Sequence, residues 1–328
     1  VGDNLVLTSR INTVTKLEIN GNSGVYKIDD FSGIDKFTSL QTFIVSNHSF
    51  SSINLSGNTQ LIILEIINSH ITTLDITNNV LLTRLNMSGH ILSTIDLTKN
   101  ILLTDLNLSV LPDRLNTNFK SIDLSKNIKL TNLNLHNAFI NYLDVSQNTL
   151  LTDLNLGMTL GIESDAINSN SNFQSQPDHL DLSNNVLLEN LIIRSRLYFS
   201  INLSKNIALK NLEATFLYYV YYLDLSNNVN LEEAVLKDNY YRGVNLKNGT
   251  NSKIVKLDLS NIIGNTLSCL EVDNVSYSTT NWVGVNYTIP NDITFSTDCN
   301  TTVIESYYPH FENYLETHNA AGDVVNLG

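Results

Sequence analysis

The 328-residue chain is 42% hydrophobic and 16% charged, with 32 Asp and Glu against 19 Lys and Arg, a net charge of −13 and a pI near 4.8. Binding nucleic-acid phosphates needs a basic surface that this composition does not supply, so nucleic acid is excluded as the partner. No run of 18 or more apolar residues exists, so no segment reads as a membrane span, and the residues from Val1 carry no secretory-leader pattern, as in a processed or excised polypeptide.

Residues 1–39 show strand-like alternation in Val14-Thr-Lys-Leu17-Glu-Ile19 and are expected to form the first coil and its cap. From Leu40 one apolar pattern recurs: LQTFIVSN, LIILEIIN at 61, LTRLNMSG at 82, LTDLNLSV at 103, LTNLNLHN at 130, LTDLNLGM at 151, LENLIIRS at 188, LKNLEATF at 209 and LEEAVLKD at 231. A second pattern alternates with it, beginning at Ile53, Leu74, Ile95, Ile122, Leu143, Leu180, Ile201, Leu223, Val244 and Leu257. Its steps are 21, 21, 27, 21, 37, 21, 22, 21 and 13 residues. A period near 21 marks a stacked-coil architecture.

One coil runs from Leu82 through Leu85, Met87, Ile95 and Leu97 to Asn100. Period-2 alternation turns Leu85 and Met87 inward and Asn86 and Ser88 outward, with Ile95 and Leu97 inward on the other side. Stacked at about 4.8 Å, such coils form two parallel sheets around a narrow apolar core. The expectation is an all-β-rich solenoid of about ten coils, with few regular helices except a short C-terminal one.

The coil LxxLxLxxNxIxxLDLSxN resembles a leucine-rich repeat, and its 21-residue form is similar to the secreted leucine-rich-repeat surface proteins of Bacteroidetes-type bacteria. In that resemblance Ile28–Leu40 stands for the lead-in of a repeat domain, and Leu267–Asp273 through Asn281-Trp282 to Phe295–Cys299 for its closing cap. The organisation expected is a cap over 1–39, a solenoid over 40–266 and a closing cap over 267–302. Residues 303–328 then resemble the start of a further module. The first Asn of the repeat stands at Asn47, Asn68 and Asn137, with Gly89, Val110, Met158, Ser195, Phe216 and Asp238 in its place elsewhere, so that side of the solenoid is expected to be less regular. The second Asn stands at 58, 79, 100, 127, 148, 185, 206 and 228. Its amide both donates and accepts and it tolerates left-handed backbone, which fits a structural turn.

Two coils are longer than the rest, around 110–116 and 157–177, both between the first and second strands and so on one edge. That edge also carries the late aromatics. Tyr198, Tyr219 and Tyr241 fall at the core phase. Tyr218, Tyr240 and Phe139, with Tyr142, fall where rings meet solvent and suit a protein interface or sugar stacking. Arg114, Glu163 and Asp165 of the insertions complete this candidate binding edge. Outward aspartates at 75, 96, 123, 144, 181, 224 and 258 form a column read as a solvated face, with a basic partner as an alternative. Calcium is a lesser alternative, because it needs six to eight oxygens and no loop of alternating carboxylates occurs. His48, His70 and His90 fall on adjacent coils near one phase, as surface histidines or a weak metal trio.

No nucleophile, zinc-protease, phosphate-loop or dinucleotide pattern occurs, so no catalytic residue, cofactor or enzymatic role is assigned. Cys269 and Cys299, the two cysteines, fit one disulfide in an oxidising compartment. After them Pro309, Phe311, Tyr314 and Leu315 mark a short amphipathic helix suited to head-to-tail assembly. These features point to an extracellular, non-enzymatic module for adhesion or assembly, meeting a protein or glycan at the cell surface or copies of itself.

Overall fold

A computed structural model of the chain describes residues 8–21, 27–111, 119–138, 140, 143–157, 179–194, 200–218 and 220–299. The alternating pattern folds as expected into a solenoid whose coils stack through one long parallel sheet of twelve strands. It starts at Lys16–Asn20 and continues through Thr42–Ser46, Ile63–Ile67, Arg84–Asn86, Asp105–Asn107, Asn132–Asn134 and Asp153–Gly157. Asn190–Arg194, Asn211–Thr215, Glu233–Val235, Lys256–Asp258 and Tyr287–Thr288 complete it. Like residues pair with like: Leu85 stands beside Leu64 and Leu106, Asn107 beside Asn86 and Asn134. Inward residues such as Phe43, Leu85, Leu106 and Leu154 merge into one continuous apolar core.

The opposite side is paired less continuously. Among the described residues it has one bridge, Asn54 to Asp75, a two-stranded pair (His179–Leu180 with Ser200–Ile201) and four strands at the C-terminal end. The Asp of each repeat closes a turn on this side. Its Oδ1 accepts the backbone N–H two residues on, as from Thr77 to Asp75 at 3.0 Å and Ser183 to Asp181 at 2.9 Å. A backbone donor is thus satisfied inside its own coil and not across to the next.

Leu257 does not continue the second pattern. Lys256–Asp258 pairs with Glu233–Val235 and Tyr287–Thr288 in the long sheet, which places Asp258 outside the aspartate column. That column continues instead through Asn245 to Glu271, on strands Gly243–Asn245 and Cys269–Glu271. The short 13-residue step is the sequence trace of this change of side.

The second Asn of each coil is buried, at 58, 79, 100, 127, 148, 185, 206 and 228. Each Nδ2 donates to two carbonyls of the preceding coil; Asn148 reaches Leu124 O at 3.2 Å and Asn127 O at 2.9 Å. The ladder crosses both lengthened coils without a gap, since Asn127 reaches Asn100 O and Asn185 reaches Asn148 O, each at 2.9 Å.

The side expected to be less regular keeps its turn. Asn47, Asn68, Gly89, Asn137, Phe216 and Asp238, and Asn261 one coil later, all have φ between 53° and 77°. The residue after each is buried: His48, Ser69, His90, Ala138, Leu217, Asn239 and Ile262. Geometry is therefore held even where Phe or Asp replaces Asn, though not at Val110, where the first insertion begins.

At the C-terminal end the core is closed by the helix Val275–Asn281, whose N-cap Asn274 accepts from Tyr277 N at 3.0 Å. Trp282 is buried beneath it, stacked on Tyr287 and edge-on to Phe295. The expected helix from Pro309 to Leu315 lies outside the described residues. A disulfide joins Cys269 to Cys299.

Candidate interaction surfaces

The aromatic edge is built on one turn. Phe216 holds the left-handed backbone at φ 59°, a conformation that a bulky side chain disfavours and that Asn or Gly supplies in most other coils. Its ring meets Tyr218 at 6.4 Å, and Tyr218 meets Tyr240 of the next coil edge to face at 5.2 Å. Beside them the Arg242 guanidinium lies 5.1 Å from the centroid of Tyr221. All five side chains are half-buried.

The turn itself is fixed from within. Buried Asn239 donates to Ala214 O and Leu236 O, both at 2.7 Å, and accepts from Leu217 N at 2.6 Å. A rigid amide thus sits directly behind the ring cluster. Tyr241 is buried, as its phase predicts, and burial pushes its hydroxyl far above the ordinary tyrosine range. Phe139, Tyr142, Tyr198, Tyr219, Arg114, Glu163 and Asp165 lie outside the described residues, as do Pro309, Phe311, Tyr314 and Leu315.

The histidines are not a surface trio. His48 and His90 occupy the buried slot after the left-handed residue, while His70 is one residue out of register and exposed; Ser69 fills its slot. His48 Nδ1 accepts from Ile28 N at 3.1 Å. His90 Nδ1 accepts from Leu92 N at 2.9 Å and its Nε2 lies 3.2 Å from Leu108 O. Both rings fasten backbone, and among the described residues no group of three or more His, Cys, Asp or Glu is placed to hold a metal ion.

The aspartate column at 75, 96, 123, 144, 181 and 224 is exposed as expected. Hydrogen bonds from Thr77 and Thr98, and from Ser125, hold Asp75, Asp96 and Asp123 below the ordinary carboxylate range. Glu271, which follows Asn245 in this row, is instead pushed up by burial and by Asp298 and Asp224.

A second surface escaped the reading of motifs. The outer face of the long sheet carries a hollow of about 260 Å³ between Leu85 and Ile192. Through it runs a row of outward asparagines, Asn107, Asn134 and Asn155, one per coil, and Asn86 continues the row on the next strand. Each Oδ1 accepts the backbone N–H two residues on, at 3.0 to 3.1 Å, which fixes the orientation of the amide. In the adjacent row Asn132 donates to Asp105 at 3.0 Å and Asn190 to Asp153 at 2.6 Å.

Two residues beyond Asn134, His136 lies across Gly157, close enough that a Cβ there would stand 2.2 Å from its Nδ1. Burial, then Arg194, lowers the pKa of His136, and Arg194 is itself paired with Glu213. The signal in the sequence is the Asn between the two inward apolar residues of LNM, LNL, LNL and LNL, which faces solvent because its neighbours do not.

No protein-family model and no curated protein sequence matches the chain. Among solved structures, the functional domain of InlJ from Listeria monocytogenes, described as including a cysteine ladder, is similar at 24% identity and a TM-score of 0.56. The match covers 88% of this chain and 63% of that one. The chain thus spans less than two thirds of the InlJ domain. An internalin (inlF) of the same organism matches at 19% identity and TM-score 0.44, covering 81% of this chain and 88% of that one. A leucine-rich-repeat protein of Leptospira interrogans matches at 17% and 0.42, covering 73% and 74%. Stacked strands, buried turn asparagines and the InlJ likeness together make this a leucine-rich-repeat solenoid.

Proposed function

We propose that the chain is an extracellular, non-enzymatic interaction module that takes a protein partner at its aromatic edge, in an adhesive or recognition role. The observation that carries this is Phe216, an aromatic side chain in a backbone position that suits Asn, joined through Tyr218 to Tyr240. Strain of this kind, of order 1–3 kcal/mol, persists where function needs it. Half-buried aromatic rings with an adjacent arginine have the composition of interface hot spots. The disulfide supports an oxidising compartment, in keeping with the resemblance to secreted bacterial surface proteins. Tyr218→Ala and Tyr240→Ala should each weaken capture of the partner from a panel of cell-surface proteins while leaving the melting temperature within a few degrees. Undiminished capture by both variants would remove the reading.

A glycan is the second reading, favoured by the oriented amides of Asn107, Asn134 and Asn155 along the sheet hollow. Linear sugars offer hydroxyls at a comparable repeat. Asn107→Ala with Asn134→Ala should then abolish binding on a glycan array that the tyrosine variants leave intact. Head-to-tail assembly through Pro309, Phe311, Tyr314 and Leu315 is a further element of the proposal. An unchanged particle mass after Phe311→Asp with Leu315→Asp would remove it.

A further inference from the structure

The two residues after each buried ladder asparagine form a tight turn, closed by a backbone bond such as Leu82 N to Asn79 O at 3.2 Å or Leu103 N to Asn100 O at 3.2 Å. Surface turns favour Pro, Gly, Asn, Asp and Ser at these positions. Here the first of the two is instead Val80, Ile101, Ile128, Val186, Ile207 and Val229, with Thr149 as the one polar member in seven successive coils. Their exposures are 44%, 51%, 53%, 45%, 55% and 39%. Leu81, Leu150 and Leu187 at the second position widen the line, at 37%, 44% and 46% exposed. Neither turn chemistry nor the core accounts for this choice. Stacking on the neighbouring coil covers about half of each side chain and leaves the rest in water.

The ladder bonds show that the line is unbroken in space. Asn100 and Asn127, and Asn148 and Asn185, are direct neighbours, so both long insertions leave the solenoid elsewhere. The result is a straight apolar ridge about 29 Å long, from six steps of about 4.8 Å. Over these seven coils eleven of the fourteen turn residues are apolar, with Lys129, Thr149 and Asn230 the exceptions, a number suited to the apolar centre of a standard interface of 20–30 residues a side.

We infer that this ridge is a lateral docking surface for a second copy of the chain, ridge against ridge across a two-fold axis. A repeat of fixed step is matched along its whole length by a surface of the same step, which the second copy supplies. The anatomy fits an isologous interface, with an apolar line inside and a polar rim outside. Lys99, Lys126 and Lys205 border the line, and Asp96 and Asp123 lie three residues before the first two, with Asn202 in the same place before Lys205. An antiparallel pairing sets this mixed flank against its own copy, so the overall negative charge does not oppose contact there.

The test is particle mass by light scattering at tens of micromolar. In the background Phe311→Asp with Leu315→Asp, which removes the proposed head-to-tail contact, the chain should run at twice 36.6 kDa, and adding Ile128→Lys with Ile207→Lys should return it to 36.6 kDa with unchanged circular dichroism. Thr149→Cys, at the middle of the ridge, offers an independent measurement, because both native cysteines are already paired in the disulfide. Mild oxidation should give a covalent dimer in most of that variant and little in Thr73→Cys, exposed elsewhere on a coil. A chain that stays monomeric in that background, a dimer that survives the lysine pair, or no cross-link through position 149 would each overturn the inference. Loss of fold in the lysine pair would pass the decision to the cross-link alone.

Discussion

Tyr218 and Tyr240 lie one coil apart and meet at 87°, with ring centroids 5.2 Å from each other. Such edge-to-face pairs contribute about 0.5–1.5 kcal/mol beyond buried area. A double-mutant cycle on Tyr218→Ala and Tyr240→Ala, read by urea unfolding, should return a coupling in that range. Additive losses would mean that the rings do not support each other.

Phe216→Asn should stabilise the chain by about 1 kcal/mol, since it restores a residue that tolerates left-handed backbone. The same change removes a ring from the proposed binding edge and should weaken partner capture. A rise in unfolding midpoint together with a fall in capture is the expected pair of outcomes. Lower stability would mean that ring packing outweighs backbone strain.

In the buried ladder, Asn148→Ala removes two donated hydrogen bonds and leaves the carbonyls of Leu124 and Asn127 without them. The cost should be about 1–3 kcal/mol, from a net worth near 1 kcal/mol per bond plus the lost packing of the amide, since each carbonyl keeps a backbone partner, Asn127 N on Leu124 O and Leu130 N on Asn127 O. Chemical denaturation measures it, and a loss below half a kilocalorie would contradict the ladder's structural role.

Reduction of Cys269–Cys299 opens a closed loop of 30 residues. Chain-entropy reasoning assigns such a loop about 3–4 kcal/mol, and its release should fall first on the cap. Hydrogen exchange should therefore rise in 269–296 before it rises near Leu133.

Asp75, Asp96 and Asp123 have folded-state pKa values below their unfolded ones because Thr and Ser donate to them. Their contribution is fully present above the unfolded value, about 3.9, and is lost as pH falls through the folded value. Thermal midpoints should be level above about pH 5 and decline below pH 4. Thr98→Val should move the Asp96 titration upward, as followed by NMR.

The solenoid was legible because each coil states its core twice, in LxxLxL and again in LDLS, and because a buried Asn recurs at the second turn, from Asn58 to Asn228. What the motifs hid was set by neighbours and not by local pattern. Leu257 has the letters of the second strand but pairs with Ala234 and Tyr287, since register belongs to the stack. His70 looked equivalent to His48 and His90 until the left-handed residues fixed the count: Asn68 puts Ser69 inside and His70 out. The aromatic edge was read at Tyr218, Tyr240 and Tyr241 from phase alone. Its strained anchor Phe216 was visible only as a missing Asn, and the asparagine row on the sheet needed coils aligned side by side.

The Asn185 side chain and the Asn148 carbonyl are 37 residues apart along the chain and 2.9 Å apart in the fold. Neighbouring coils therefore keep the same handshake whatever lies between them. Length at that point is a free variable, so a foreign peptide exchanged for 158–178 should be displayed from the solenoid with its stacking undisturbed. The same separation of rack from cargo would let a lineage vary what it presents to partners while its scaffold stays fixed.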